Sequence, residues 1–174
     1  NTAQTEELRD AIAYFRSRGK FAYVYGNSFG GFASGMGDYF LATAFDEIWL
    51  QPVGVVAITG VAAEVPFFKG LFDKLGVTAE FGHKGKYKSA PESLTAAGMS
   101  SAHREMMESL TADLSSQIVL AMASGRNIKT EDMHRRIDAA PFGDAAALKA
   151  GLVDDAGLRG VGLVFLRILL AELA

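Results

Sequence analysis

Short apolar runs alternate with helical segments along this chain, and glycine punctuates them, so the sequence can close only as strands layered with helices. Thr5 with Glu6 and Glu7 reads as a helix start, and Leu8, Ile12 and Phe15 recur on one face until Gly19 stops it. Phe21 to Tyr25 reads as a short apolar strand. A glycine-rich turn, Gly26 to Gly37, feeds a second helix through Ala44. Glu47 to Leu50 and Val55 to Ile58 read as strands, separated by a turn at Pro52 and Gly54. Phe67 to Leu75 has helical spacing closed by Gly76; its stripe of Phe67, Phe68, Leu71 and Phe72 is ordinary core or interface surface. Val77 to Phe81 reads as a strand. Ser101 to Ser124 is one long helix, opened by serine and ended at Gly125. Lys129 to Ile137 and Ala145 to Ala150 are short helices, the second stopped by Gly151. The alternation predicts an α/β domain with parallel strand pairing and no internal repeat.

Composition narrows the chemistry. A length of 174 residues is enough for one domain with a real core. Seventeen basic residues against twenty acidic ones, with no basic run, give no surface for nucleic acid, so no such partner is expected. The absence of cysteine excludes disulfides and thiolate metal sites. His83, His103 and His134 stand far apart without ligand spacing, and no metal site is expected. Gly30 to Gly35 lacks the Gly-Lys-Ser/Thr ending of a phosphate-binding loop and the acidic partner of a dinucleotide fingerprint; no cofactor is expected. The acidic pairs Asp154-Asp155 and Glu131-Asp132 read as a solvated turn and a helix start.

The stretch with chemical potential is Gly85-Lys86-Tyr87-Lys88-Ser89-Ala90, which follows Val77 to Phe81. Burial disfavours the charged form of an amine, so a lysine sheltered among such neighbours can lose its proton. Neutral, it can serve as general base for a serine hydroxyl. Locally, a surface lysine beside a turn is the commoner meaning of such a pattern, because lysine is rarely buried. His83 is close in sequence and either lines a site or stands solvated at a strand end.

Wider context favours the first reading. The opening Glu6-Glu7-Leu8-Arg9-Asp10-Ala11-Ile12 is followed by Tyr23-Val24-Tyr25-Gly26-Asn27-Ser28, Asp38 to Ala44, Asp46 to Pro52 and Val53-Gly54-Val55-Val56. Phe72-Asp73-Lys74-Leu75-Gly76-Val77 and Gly85 to Ala90 come after them. In this order and spacing the chain resembles the signal peptide peptidase A (protease IV) family, specifically the N-terminal half of its long two-domain form, over roughly residues 4 to 156. The resemblance implies the crotonase/Clp-protease-like fold of repeated ββα units. It implies a serine-lysine endopeptidase acting on cleaved signal peptides, with no cofactor. Lys88 matches the family's general base, and the serine nucleophile comes from a C-terminal half, which is therefore an expected partner alongside peptide substrates and further copies of the chain in a homo-oligomer. The implied location is the periplasmic side of a bacterial inner membrane, with this segment itself soluble.

The glycine-rich turn offers a second serine. Ser28 to Gly35 resembles the nucleophile segment of the family's C-terminal half, where a serine precedes a helix start and amides can donate to an oxyanion. Counted back from Ile48, the nucleophile position falls on Met36, whose thioether cannot attack as a deprotonated nucleophile. Ser34, two residues earlier, stays open as an alternative if the register slips. Ser89 either holds the lysine amine or caps the turn of residues 88 to 93.

Long-form members usually carry an N-terminal anchor and further strands ahead of this point, so the chain, starting at Asn1 in a helix, is expected to be part of a longer protein. Residues 1 to 157 are expected to form the family-like α/β domain. The apolar segment 158 to 174, with Arg159 and Arg167, is short for a bilayer span and is expected to form a helix for packing or oligomer contact. Two other classes fit less of the pattern: a non-catalytic oligomerising scaffold, favoured by Met36, and a crotonase-type acyl-CoA enzyme, supported by fold analogy alone.

Overall fold

In the computed structural model, residues 2–31 and 33–157 are described; the segment 158–174, and with it the expected C-terminal helix, lies outside the described residues. The chain divides into two compact units, one drawn from Asn1–Gly60 with Gln117–Ala174 and the other from Val61–Ser116.

In the first unit the expected βαβ arrangement forms. β1 (Tyr23–Gly26) runs parallel to β2 (Glu47–Leu50), Val24 opposite Ile48 and Tyr25 opposite Trp49. The crossover between them carries α2 (Met36–Ala42), as a parallel pair requires. The chain returns beside β2 near its described end: the Leu50 amide donates to the Asp155 carbonyl (2.9 Å) and the Asp154 amide to Ile48 (2.8 Å). β3 (Val55–Val56) is shorter than the apolar run Val55 to Ile58, and pairs antiparallel with β4 (Phe142–Gly143), two residues with no strand pattern of their own. Tyr39, Ile48, Leu50, Val56, Ile58, Met122, Met133 and Leu152 are fully buried and form the core. Burying such a side chain contributes about 1.5–3 kcal/mol. The Tyr39 hydroxyl stays satisfied inside it, donating to the Leu152 carbonyl at 2.6 Å, and burial pushes its pKa up.

α1 (Thr2–Ser17) forms as expected but docks differently. Leu8 and Phe15, on the helix's apolar face, are 53% and 42% exposed. Arginines make the attachment instead. Arg9 lies over the Phe40 ring at 4.2 Å and donates to the Phe40 carbonyl and to Thr43 Oγ1. Arg16 pairs with Asp46 and donates to the Ala44 carbonyl. Because α2 ends at Ala42, its last carbonyls need donors, and the Arg9 guanidinium supplies one at Phe40, while Arg16 ties the segment just beyond the helix.

The second unit is built on α3 (Lys69–Leu75), the single turn α4 (Glu92–Thr95) and residues 101–116 of α5 (Ser101–Gly125); the rest of α5 belongs to the first unit. Gly76 closes α3 in the left-handed region (φ 68°), letting the Val77 amide reach back to Phe72 (3.0 Å). Val77 to Phe81 is not the expected strand: no ladder pairs it, and Val77 and Phe81 are each about half exposed. Apolar alternation makes a strand only where a partner edge exists. After α5 come α6 (Thr130–Ala139) and α7 (Asp144–Lys149), both in the first unit.

Candidate active site

Lys88 sits in the second unit, on the loop between Phe81 and α4. The Lys88 amide donates to the Gly85 carbonyl (3.3 Å), closing a turn, and its side chain is exposed. The shelter expected among Tyr87, Ser89 and Ala90 is thus not supplied by its immediate neighbours. Of residues 81 to 90 only Ser89 is buried. Its carbonyl accepts from the Glu92 amide (2.9 Å), and Ser93 Oγ donates to the Ala90 carbonyl (3.2 Å), so the turn into α4 is tied through its backbone. His83 is exposed.

The two lysines of the loop differ in their surroundings. Lys86 donates to the Tyr87 hydroxyl (3.1 Å) and to Glu105 Oε2 on α5 (3.2 Å), while Tyr87 donates to Glu105 Oε1 (3.2 Å). Hydrogen bonds to Tyr87 and then Glu105 favour the charged amine and push Lys86 up. Those from Lys86 and Tyr87 pull Glu105 down. Lys88 is the lysine of the pair whose amine has no hydrogen-bond or ion-pair partner among the described residues.

A cluster that the sequence did not disclose lies just beyond. The Glu92 carboxylate accepts from Ser100 Oγ (2.7 Å), from the Ser100 amide (3.0 Å) and from His103 Nδ1 (2.9 Å). A carboxylate only accepts, which places a hydrogen on Nδ1. Ser100 Oγ in turn accepts from the His103 amide (3.2 Å), as a helix-capping serine does. The side chains of His103 and Glu92 are 7% and 18% exposed. Donation from the Ser100 hydroxyl, then from its amide, holds the Glu92 carboxyl below its ordinary range. The serine and histidine spaced three apart at a helix start are a weak local signal, but the glutamate eight residues earlier joins them only in three dimensions.

Ser34 and Met36 belong to the first unit. The turn that carries them is tightly knotted: the Phe29 amide donates to the Val55 carbonyl of β3, the Ala57 amide to the Phe29 carbonyl and the Gly35 amide to the Ala57 carbonyl, each at 2.8 Å. Gly30 holds φ 83°, and a Cβ at Gly35 would run into the Phe29 carbonyl. Ser34 Oγ donates to the Gly60 carbonyl (3.2 Å) and accepts from the Met36 amide (3.4 Å). Among the described residues its hydroxyl meets backbone, not a basic side chain. Met36 is the first residue of α2 and is buried, 4% exposed. Ser28 also serves structure, its Oγ accepting from the Val55 amide (3.0 Å). Ser28, Gly31, Ala33, Ser34, Val55 and Thr59 line a cleft of about 410 Å³. Among the described residues no three His, Asp or Glu side chains gather as metal ligands would, and no helix is long and apolar enough to cross a membrane.

The family model of Peptidase family S49 matches residues 15–160, which takes in both the lysine loop and the glycine-rich turn. The chain belongs to peptidase family S49. It is 34% identical over 121 residues to Protease 4 of Haemophilus influenzae, covering 70% of this chain and 19% of that protein. It is 27% identical over 152 residues to the chloroplastic serine protease SPPA of Arabidopsis thaliana, covering 87% and 22%. With Protease 4 of Salmonella typhi it shares 31% over 123 residues, 71% and 19%. The resemblance to the signal peptide peptidase A family therefore holds, with an α/β architecture. The chain spans about a fifth of the length of these S49 relatives.

Proposed function

We propose that this chain is the N-terminal, base-supplying part of a serine-lysine endopeptidase that degrades cleaved signal peptides. Lys88 is the general base, and the serine comes from a C-terminal half. The observation that carries the assignment is the contrast within the loop: Lys86 is tied to Glu105, whereas the Lys88 amine is exposed and unpaired among the described residues. Family membership supplies the reaction class.

In the reaction, neutral Lys88 takes the serine hydroxyl proton as the oxygen attacks the peptide carbonyl. The ammonium returns that proton to the leaving amine, and the C–N bond breaks to leave an acyl-enzyme. Water then attacks the ester, Lys88 takes its proton, and the serine oxygen leaves with that proton restored. Since the loop alone leaves Lys88 in water, the surface that desolvates it comes from the serine-bearing half or a neighbouring copy in a homo-oligomer.

The fold proposed is the crotonase/Clp-protease-like one, supported by the parallel β1–α2–β2 unit. The place of work is the periplasmic side of a bacterial inner membrane, by analogy with the family. Met36 at the start of α2 favours an isolated chain without catalytic activity of its own. Lys88→Ala in the full-length protein is expected to lower peptide hydrolysis on the order of 10²–10⁴-fold with an unchanged circular-dichroism spectrum. Retained hydrolysis would refute Lys88 as the base.

A further inference from the structure

Lys88 is exposed and its amine has no hydrogen bond or ion pair among the described residues to aim it, yet a general base has to meet its partner within hydrogen-bonding reach. The backbone that carries it is held at both ends against one helix. Ahead of it, Lys86 and Tyr87 reach Glu105 on α5, but the Lys86 and Glu105 side chains are 62% and 61% exposed, and such a surface contact constrains little. Behind it, Glu92 accepts three hydrogen bonds from Ser100 and His103 at the start of α5. The same residue's amide donates to the carbonyl of Ser89, the one buried residue of the loop and the neighbour of Lys88. Position therefore passes from α5 through Glu92 and Ser89 to Lys88, all within one unit.

We propose that Glu92, Ser100 and His103 are positioning residues for the catalytic lysine, setting where α5 presents Lys88. This rests on the assignment of Lys88 as general base. His103 supplies the part that a capping role does not require. Ser100 by itself already caps the helix, whereas His103 reaches through its side chain to the loop-bearing glutamate. A small misplacement of a catalytic group costs up to about 10²-fold in rate, and a role confined to aiming the base predicts that the loss falls on turnover and not on KM.

The experiment compares His103→Ala, His103→Asn and Lys88→Ala in the full-length enzyme, reading kcat and KM on one peptide substrate with melting temperature alongside. Asparagine can place an N–H donor near the position of Nδ1; alanine cannot. The expected result is a fall in kcat on the order of 10- to 100-fold for His103→Ala with KM within about twofold, substantially recovered in His103→Asn, and a fall on the order of 10²–10⁴-fold in Lys88→Ala. Loss of activity in Lys88→Ala with unchanged kcat in His103→Ala would overturn the positioning role and leave the base intact. Equal kcat in the alanine and asparagine variants would also overturn it, reducing His103 to packing. Turnover in Lys88→Ala at the level of the unchanged enzyme would remove the base itself. If His103→Ala does not fold, Ser100→Ala replaces it. Ser100→Ala is then expected to lower kcat at constant KM, and an unchanged kcat counts against the proposal in the same way.

Discussion

Tyr39 and Gly35 show how single residues fix the scaffold of the first unit. The Tyr39 hydroxyl donates to the Leu152 carbonyl from a fully buried position, so Tyr39→Phe removes a donor without changing the ring and leaves a buried carbonyl unpaired. The expected loss is ~1–3 kcal/mol, read as a lower midpoint in urea unfolding. At Gly35 the Phe29 carbonyl occupies the space a Cβ would need, whereas Gly31 in the same turn faces open space. Gly35→Ala is expected to cost ~1–3 kcal/mol and Gly31→Ala under about 0.5 kcal/mol, compared by thermal unfolding. Equal effects would mean that the turn is looser than its hydrogen bonds imply. Neither residue stands out in the sequence: glycine announces a turn there, but which glycine meets backbone depends on β3, more than twenty residues on. The proposal of Lys88 as the base rests on resemblance, since its own neighbours fit a surface lysine.

At the scale of elements, what was legible was what is locally determined. Gly76 and Gly125 end their helices where the sequence places the stops, because a helix terminus is set by nearby residues. What failed needed distant partners. Val77 to Phe81 has strand composition but no edge to pair with, and β4 exists only because β3 lies beside it. The apolar stripe of α1 stays exposed because arginines dock that helix. The Glu92 cluster was hidden for the same reason. Two carboxylates join elements in a way that pH can reveal: Glu92 receives Ser100 and His103, and Asp144 receives the Val53 amide, then that of Ala145. Hydrogen bonding holds both pKa values below their unfolded values. Their contribution is therefore complete above the ordinary carboxylate range and is lost as pH falls through the folded pKa values. Melting temperature is expected to drop on acidification below about pH 4.5, with a shallower drop in Glu92→Gln and Asp144→Asn. An unchanged slope in both variants would show that these contacts are not coupled to folding.

For the whole molecule, the chain carries the lysine in one compact unit and the glycine-rich turn in another, and it spans about a fifth of its relatives. Met36 stands at the helix start where counting along the sequence places a nucleophile, and Ser34 beside it is occupied by backbone contacts. Under the proposed function the nucleophile lies outside residues 1–174 and depends on Lys88 for its reactivity. Labelling with a fluorophosphonate at about pH 8, followed by peptide mapping, tests it most directly in the full-length protein, its Lys88→Ala variant and the isolated chain. One adduct is expected in the full-length protein, on a serine outside this segment, absent from Lys88→Ala and from the isolated chain. An adduct on Ser34, or labelling that survives Lys88→Ala, would contradict it.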